Sequence, residues 1–525
     1  MKKRLCLLLA LVMVLTSVFA GCGQSENVAS VETSKGSGEL EGSLVSAEPV
    51  EFTYFGIFNG TVFNEEWPVF KEAAAMTNVS LKGTLSSGAS DDKQAFNLMV
   101  SSGNLPDIIS YMQIEDMEKL GRDGGLLELT DLIDQHAPNI KAYFAANPDK
   151  EKLATSVDGK MYVIPKFMAG EPSLGYFVRQ DWLDNLGLEQ PQNLEELEAV
   201  LTAFKEQDPN GNGQADEVPF FQRKNTELSN VSWLLSLWGS SLRYYMDDDG
   251  ELKFAPMEDD FVNAIKELKR WYDKGLIDQE IFTRGNKSRD VLLSSNTGGM
   301  TIDWFGSTST YNDKLADSIE GFSFMPFAPP ENINGERVMP DKRTTVNGGW
   351  GISASCEDPV KVIQYFDFWF SPEGQKLINF GVEGLTYEVK EGKPVYTDMI
   401  MNGKGNALQN LRSEGVQYLI GMAQDFDYER GWIHPIGLEG FEMYEKNDYY
   451  KYVWDPLTLK YSPEEEKEVI KIQVNVDSYV QEMVQKWLLG ASDIDSDYDE
   501  FVERLKELGI EKSIEINTNA YNRIY

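Results

Sequence analysis

The sequence predicts an α/β fold divided over at least two lobes, and three observations predict it. Strand-like segments alternate with amphipathic helical segments along much of the chain, the pattern of sheets covered by helices. At 525 residues the chain exceeds what one hydrophobic core usually organises. Apolar residues make up 42 % and charged residues 25 %, an ordinary globular balance that leaves disorder only for short tethers.

The elements follow in order. Met1-Lys2-Lys3-Arg4 is a basic start, Leu5 to Ala20 is a nearly unbroken apolar run, and small residues and Cys22 come next. This is the pattern of a secretory signal over residues 1–21. The run of about 16 residues falls short of the ~20 that span a bilayer as a helix. Phe19-Ala20-Gly21-Cys22 resembles the bacterial lipobox and departs from it at Phe19, where the pattern prefers leucine. The resemblance implies an acyl anchor of the palmitate type on Cys22 and residence on the extracellular face of the cell membrane. Residues 23–49 are rich in Ser, Gly and Glu and hold no aromatic residue. They cannot bury enough apolar surface to fold, and read as a tether with a reach of roughly 30 Å. The span 22–49 is therefore a lipidated cysteine plus tether.

From Val50, Glu51–Phe58 reads as the first strand. Trp67, Phe70 and Ala74 stand at helical spacing within Glu65–Met76. Phe96, Met99 and Val100 do the same, with Gly103 as C-terminal cap. Ile108–Tyr111 is a strand. Asn193 and Glu196 form a capping-box-like start to a helix whose Leu197, Leu201 and Phe204 line one face. Phe261, Ile265, Leu268 and Trp271 make another stripe, closed by Gly275. Asp358-Pro359 and Ser371-Pro372 each set a capping side chain before proline at the first helical position. Ser462-Pro463 opens a long helix that Gly490 closes. These stripes read as core, as does Trp182.

Charge and cysteine usage narrow the function. The formal net charge is −37, and such a surface repels nucleic-acid phosphates, so nucleic acid is set aside as a partner. Of the three cysteines, Cys6 and Cys22 belong to the leader region, and Cys356 reads as a buried inert thiol. His136 and His434 are too far apart in sequence to suggest a zinc site or a triad. No GxGxxG follows a strand, and neither a Walker loop nor a GxSxG elbow occurs.

The sharpest local chemistry is Asp208-Pro209-Asn210-Gly211-Asn212-Gly213-Gln214-Ala215-Asp216-Glu217. Oxygen side chains fall at loop positions 1, 3, 5 and 9, and glycine at 6. Ca²⁺ takes six to eight oxygens, and alternate side chains on a tight loop converge on one point. Asp208, Asn210, Asn212 and the Gln214 carbonyl are the expected ligands. Position 12 is Pro219, so Asp216 or Glu217 must close the shell. The role would be structural, stiffening the second lobe.

Several segments together resemble the extracellular solute-binding proteins of ABC importers, the broad family that includes maltose-binding protein. They are Ser101-Ser102-Gly103-Asn104-Leu105-Pro106-Asp107-Ile108-Ile109, Val157–Pro165 with its Asp-Gly-Lys-Met-Tyr, Val178–Leu188, Gly299–Trp304, and Ser371-Pro372-Glu373-Gly374 followed by Gly381-Val382-Glu383-Gly384. Their order makes the likeness specific, and it runs from about residue 50 to the C-terminus. The nearest subgroup is the long oligosaccharide-associated lipoproteins. The resemblance implies a two-lobed periplasmic-binding-protein-like (type II) fold with hinge strands and an interlobe cleft. Lobe 1 would be 50–166 and 300–354, and lobe 2 would be 167–299 and 355–525.

The same resemblance implies no catalysis. An oligosaccharide would be captured between the lobes by hinge closure and delivered to membrane permease subunits, the binding protein itself being a monomer. Aromatic faces and planar polar groups suit sugars. Trp304 matches an aromatic platform position of the family. Trp350, Tyr111, Gln113, Lys166, Phe167, Arg343, Glu383 and Tyr387 lie at strand ends and loops where the cleft is expected. A peptide-binding lipoprotein, a ligand sensor and an extracellular glycosidase are the alternatives.

Overall fold

The computed structural model describes residues 43–86, 88–170, 172–223, 231–339, 342–343, 345–450 and 459–523. The leader, Cys22 and the tether as far as residue 42 lie outside them. The local signals translate directly into elements. The first strand is Val50–Phe58, and Pro68–Thr77 and Asp92–Ser102 are helices. Gly103 caps the second of these at φ 68°, as a residue without Cβ can. The Asn193 side chain accepts from the Glu196 amide, Asp358 from Lys361 and Ser371 from Gly374. Ser462 and Glu465 form a reciprocal capping box at the head of Pro463–Leu488.

Two sheets carry the body. In the first, the order is Met422–Ala423, Ile164–Phe167, Val346–Ile352, Ile108–Tyr111, Val50–Phe58, with Thr61–Val62 and Val79–Gly83 also pairing to Val50–Phe58. Successive side chains alternate between its faces. Phe52, Tyr54 and Phe58 enter one core with Ile108, Ile164, Trp350 and Ile352, whereas Phe55 and Ile57 enter the other with Ile109, Tyr111 and Val163. Both faces are covered, which is why these strands read as continuous apolar runs. The Val346–Ile352 strand is inserted between two older neighbours. A Cβ on Gly349 would lie 2.5 Å from the Ile164 carbonyl oxygen. Gly348 carries φ 67° at a register shift in the same strand.

In the second sheet the order is Phe324–Phe327, Leu174–Arg179, Gly298–Trp304, Val218–Phe220. Its core takes in Trp182, Leu201, Phe204 and the whole Phe261–Trp271 stripe. The C-terminal helices Pro463–Leu488 and Ile494–Leu508 pack on Asp259–Asp273, Ile510–Tyr521 packs on Pro463–Leu488 and on the strand Leu252–Phe254, and all three extend this same core. No helix among the described residues is long and apolar enough to cross a membrane. Cys356 is buried and free, and burial pushes its thiol up to about 11.

The lobe boundaries expected from the sequence are corrected. Gly298–Trp304 pairs antiparallel with Leu174–Arg179 and parallel with Val218–Phe220, so it does not return the chain to the first lobe. That return is made by Val346–Ile352, and the expected span 300–354 divides there. In the other direction, the start of 355–525 belongs with the first sheet. Helices Pro359–Phe368 and Pro372–Phe380 bury Val362, Phe366, Trp369 and Leu377 in the first-sheet core. Phe441 and Tyr444 of helix Pro435–Asn447 lie in the second core. An apolar strand states that it is buried but not which sheet will bury it.

Candidate functional site

The described chain passes between the sheets at 167–174, 327–346 and 423–435, and hydrogen bonds tie these passages together. The Met168 amide donates to Thr345 O (2.9 Å), and the Gln424 amide to Phe167 O (2.8 Å). The Ala169 amide donates to Gln424 Oε1 (3.1 Å). Arg343, expected to touch ligand, instead grips Glu429 with both terminal nitrogens, at 2.7 and 3.1 Å, in a largely buried ion pair. Its planar fork joins the second passage to the third. That placement corrects the expectation: the guanidinium is committed to the hinge.

In open α/β sheets ligands bind beyond the carboxyl ends of the strands. In the second sheet, Val218–Phe220 and Gly298–Trp304 run parallel with Phe220 opposite Met300, so the longer strand continues to Trp304 beyond the end of the shorter one. There Arg223, just past the shorter strand, donates to Asp303 of the longer one through Nε (2.7 Å) and Nη2. Arg289 donates to the same carboxylate from the other side (2.9 Å) and to Ser307 and Thr308. The Trp304 amide completes the shell (2.8 Å). Asp303 is 1 % exposed, yet Trp304 beside it is 43 % exposed, the one tryptophan among the exposed large apolar side chains of the described residues.

At the first sheet the expected residues separate. Trp350 stacks on Phe366 at 3.9 Å and Tyr111 on Phe96 at 4.1 Å, both fully inside. Phe167 packs between Tyr143 and Phe144. These three are core, which corrects their assignment to the cleft. Alternation sends the bulky side chain to the face that a helix covers, and the flanking glycines face the tight side. Glu383 and Tyr387 gather around Lys376 (Nζ to Glu383 Oε2 3.1 Å) on an element packed against helix Pro68–Thr77, away from the strand ends. Gln113 is exposed just after the Ile108–Tyr111 strand.

Lys166 is 3 % exposed, donates to Gln417 O (2.7 Å) and lies 5.8 Å from the Phe58 ring. Desolvation, with Arg412 and Arg343 near, pulls its ammonium down to about 7.

Sequence reasoning missed three residues. Arg412, exposed, lies 5.7 Å over the same Phe58 ring and makes no ion pair among the described residues. Trp432 packs against both cores, and its ring would lie 3.3 Å from a Cβ on Gly306. Arg223 follows a short strand and has its partner Asp303 far along the chain. Only Trp432 carried a signal, standing shortly before the helix-opening Pro435.

The loop at 208–217 draws its oxygens inward. Asp208 accepts from the Asn212 and Gly213 amides (3.1 and 2.9 Å), and Asn212 Oδ1 accepts from the Gln214 amide (2.7 Å). The Asn210 and Asn212 side-chain amides both reach Asp216 (3.4 and 3.1 Å). Gly213 has φ 75°. Glu217 is 2 % exposed with both carboxyl oxygens buried and unpartnered. Burial, with Asp216 and Asp208 near, raises its carboxyl. An orphaned buried carboxylate beside inward-turned oxygens fits a hard cation. The donor set is mixed: no three His, Cys, Asp or Glu groups among the described residues form a metal cluster by themselves, and amide oxygens and carbonyls must share the shell.

The sequence model of the bacterial extracellular solute-binding proteins matches residues 60–376. The chain is 24 % identical over 467 residues to the fructooligosaccharide ABC transporter substrate-binding protein FusA of Streptococcus pneumoniae serotype 4, covering 83 % of each. It is 27 % identical to lipoprotein LipO of Bacillus subtilis (strain 168), over 77 % of this chain and 76 % of that one. Among solved structures, alginate-binding protein AlgQ2 without calcium ion superposes with a TM-score of 0.76 at 37 % identity, covering 92 % of this chain and 100 % of AlgQ2.

Proposed function

The chain belongs to the bacterial extracellular solute-binding proteins, and from that premise we propose that it is the oligosaccharide-capturing component of an ABC importer. Oligosaccharide transport is the role named for FusA, and a saccharide ligand is named for AlgQ2. The observation that carries the reading to this molecule is Trp304: a large flat aromatic left 43 % exposed at the end of the Gly298–Trp304 strand, while Trp182 and Trp350 are fully buried. Such a face stacks on the C–H side of a sugar ring. Hinge closure about the three tied passages would bury the ligand, and the closed form would dock on the permease.

The finer parts of the proposal rest on separate residues. Cys22 is the lipid attachment point, holding the body at the outer face of the membrane, and LipO is a lipoprotein. Ca²⁺ is held by Asp208, Asn210, Asn212, the Gln214 carbonyl, Asp216 and Glu217. It would neutralise three crowded carboxylates and lock the turn, a structural task only.

Calorimetry with neutral and acidic oligosaccharides and with peptides tests the central reading. An oligosaccharide should bind, and Trp304→Ala should weaken it by about 1–2 kcal/mol, the usual worth of a stacked aromatic contact. Binding of a peptide with no saccharide response would remove the sugar reading. Turnover of a bound glycan would remove the transport one.

A further inference from the structure

We infer that the ligand is an acidic oligosaccharide built on hexuronic acids, and that Arg223 beside Trp304 is the group that takes a ring carboxylate. The inference rests on the oligosaccharide reading and adds the charge of the cargo.

The whole chain carries 85 Asp and Glu against 48 Lys and Arg, and at long range it repels a polyanion. Beyond the second-sheet strand ends the balance reverses. Asp303 is shared by two guanidiniums, Arg223 and Arg289, although it needs only one to be neutral. Arg289 is itself buried and its Nε finds no acceptor. Asp290 also acts on Arg289 and on Lys314, so the charges described around the cluster are three cations, Arg223, Arg289 and Lys314, against two carboxylates, Asp303 and Asp290. A desolvated net cation is costly unless an anion completes it. Arg223 spends Nε and Nη2 on Asp303, and its Nη1 makes no hydrogen bond among the described residues.

The exposed Trp304 stands at the same carboxylate through its amide. A ring stacked there with its C5 substituent toward Arg223 would present a hydroxymethyl group if it were a neutral hexose and a carboxylate, which matches a guanidinium edge, if it were a hexuronate.

A second set of cations supports the same sign independently. The buried cations of the described residues are Lys166, Arg179 and Arg289. Arg179 is paired with Asp181 and Arg289 with Asp303, whereas Lys166 has only a carbonyl. Lys166 and Arg412 flank Phe58, at the end of the first strand. Asp92, beside the same strand end, is occupied by the Asn59 and Gly60 amides. The two sets are joined through Trp432, which touches Gly306 on one side and neighbours Tyr428 (6.2 Å) on the other, where Glu429, paired with Arg343, and Arg412 all act.

The test is calorimetry of the full calcium-loaded chain with tetragalacturonate and tetramannuronate, and with the fully methyl-esterified tetragalacturonate, which keeps rings and linkages but has no charge. Acid should bind and ester should bind roughly 10- to 100-fold more weakly, the worth of one charge-assisted hydrogen-bond pair. Arg223→Gln should lower acid affinity by a similar factor and ester affinity much less, so that the acid–ester ratio shrinks, and Arg223→Lys should recover part of the loss. If Arg223→Gln does not fold, the acid–ester comparison on the natural chain decides alone. Equal affinity for acid and ester overturns the inference. Tight binding of neutral maltotetraose or kestose with no response to either hexuronate also overturns it, and leaves the oligosaccharide reading intact. Silence toward every saccharide removes both.

Discussion

Replacing Lys166 by methionine should change how the protein's stability depends on pH. Methionine keeps the length of the side chain and removes its charge. The folded ammonium lies near 7 against an ordinary 10.5, because burial withdraws it from water and Arg412 and Arg343 oppose it. The sign follows from linkage. Between pH 7 and 10.5 the unfolded chain binds more protons at this site than the folded one, so its contribution to stability rises with pH across that window.

The slope cannot exceed ~1.36 kcal/mol per pH unit, so two units give at most ~2.7 kcal/mol. Local relaxation and water entry around a buried ammonium reduce this to about 1–2 kcal/mol between pH 7.5 and 9.5. Urea unfolding of both proteins at the two pH values, followed by tryptophan fluorescence, reads the quantity as a difference of differences in which the tyrosines and other shared groups cancel. The natural protein should gain on Lys166→Met as pH rises. A gap that stays constant, or moves the other way, would refute the reasoning, because it would mean that the folded protein compensates the charge fully.

Three further outcomes are expected. Chelation of Ca²⁺ should lower the melting temperature of the natural chain, and Glu217→Gln should bind Ca²⁺ at least tenfold more weakly by calorimetry, since an amide nitrogen replaces one carboxylate oxygen and the charge is lost. Arg343→Met should cost roughly 3–5 kcal/mol of stability by chemical denaturation, because Glu429 is left charged and poorly solvated at the hinge. The double change Arg343→Met with Glu429→Leu should recover much of that loss. Gly349→Ala should cost about 1–3 kcal/mol or prevent folding, because its Cβ meets the backbone of Ile164, which cannot swing aside.

What was legible in the sequence was local. Caps at Asn193, Asp358, Ser371 and Ser462 are set by side chains reaching three residues ahead, and each forms. The inward-turned loop at 208–217 is local as well. Sheet membership is not, because the neighbours of Gly298–Trp304 lie about 80 and 120 residues earlier and nothing in its own pattern distinguishes them. Trp350 shows the same limit at one residue. Its strand is paired on both edges, and the sequence does not say on which face Phe366 will lie. Arg223 was invisible for a different reason: its meaning depends on Asp303 already being served by Arg289. Trp304, found exposed, is singled out by a family likeness and not by its spacing.

The strand Val346–Ile352 pairs with Ile108–Tyr111 on one edge and with Ile164–Phe167 on the other. A chain threaded outward from its N-terminus would therefore hold its first sheet as two unjoined pieces until that strand had emerged. Such distant pairing is slow to form. If the chain is exported unfolded, as the proposed outer-face location allows, the delay would be useful: the part still inside would have no finished sheet to obstruct passage.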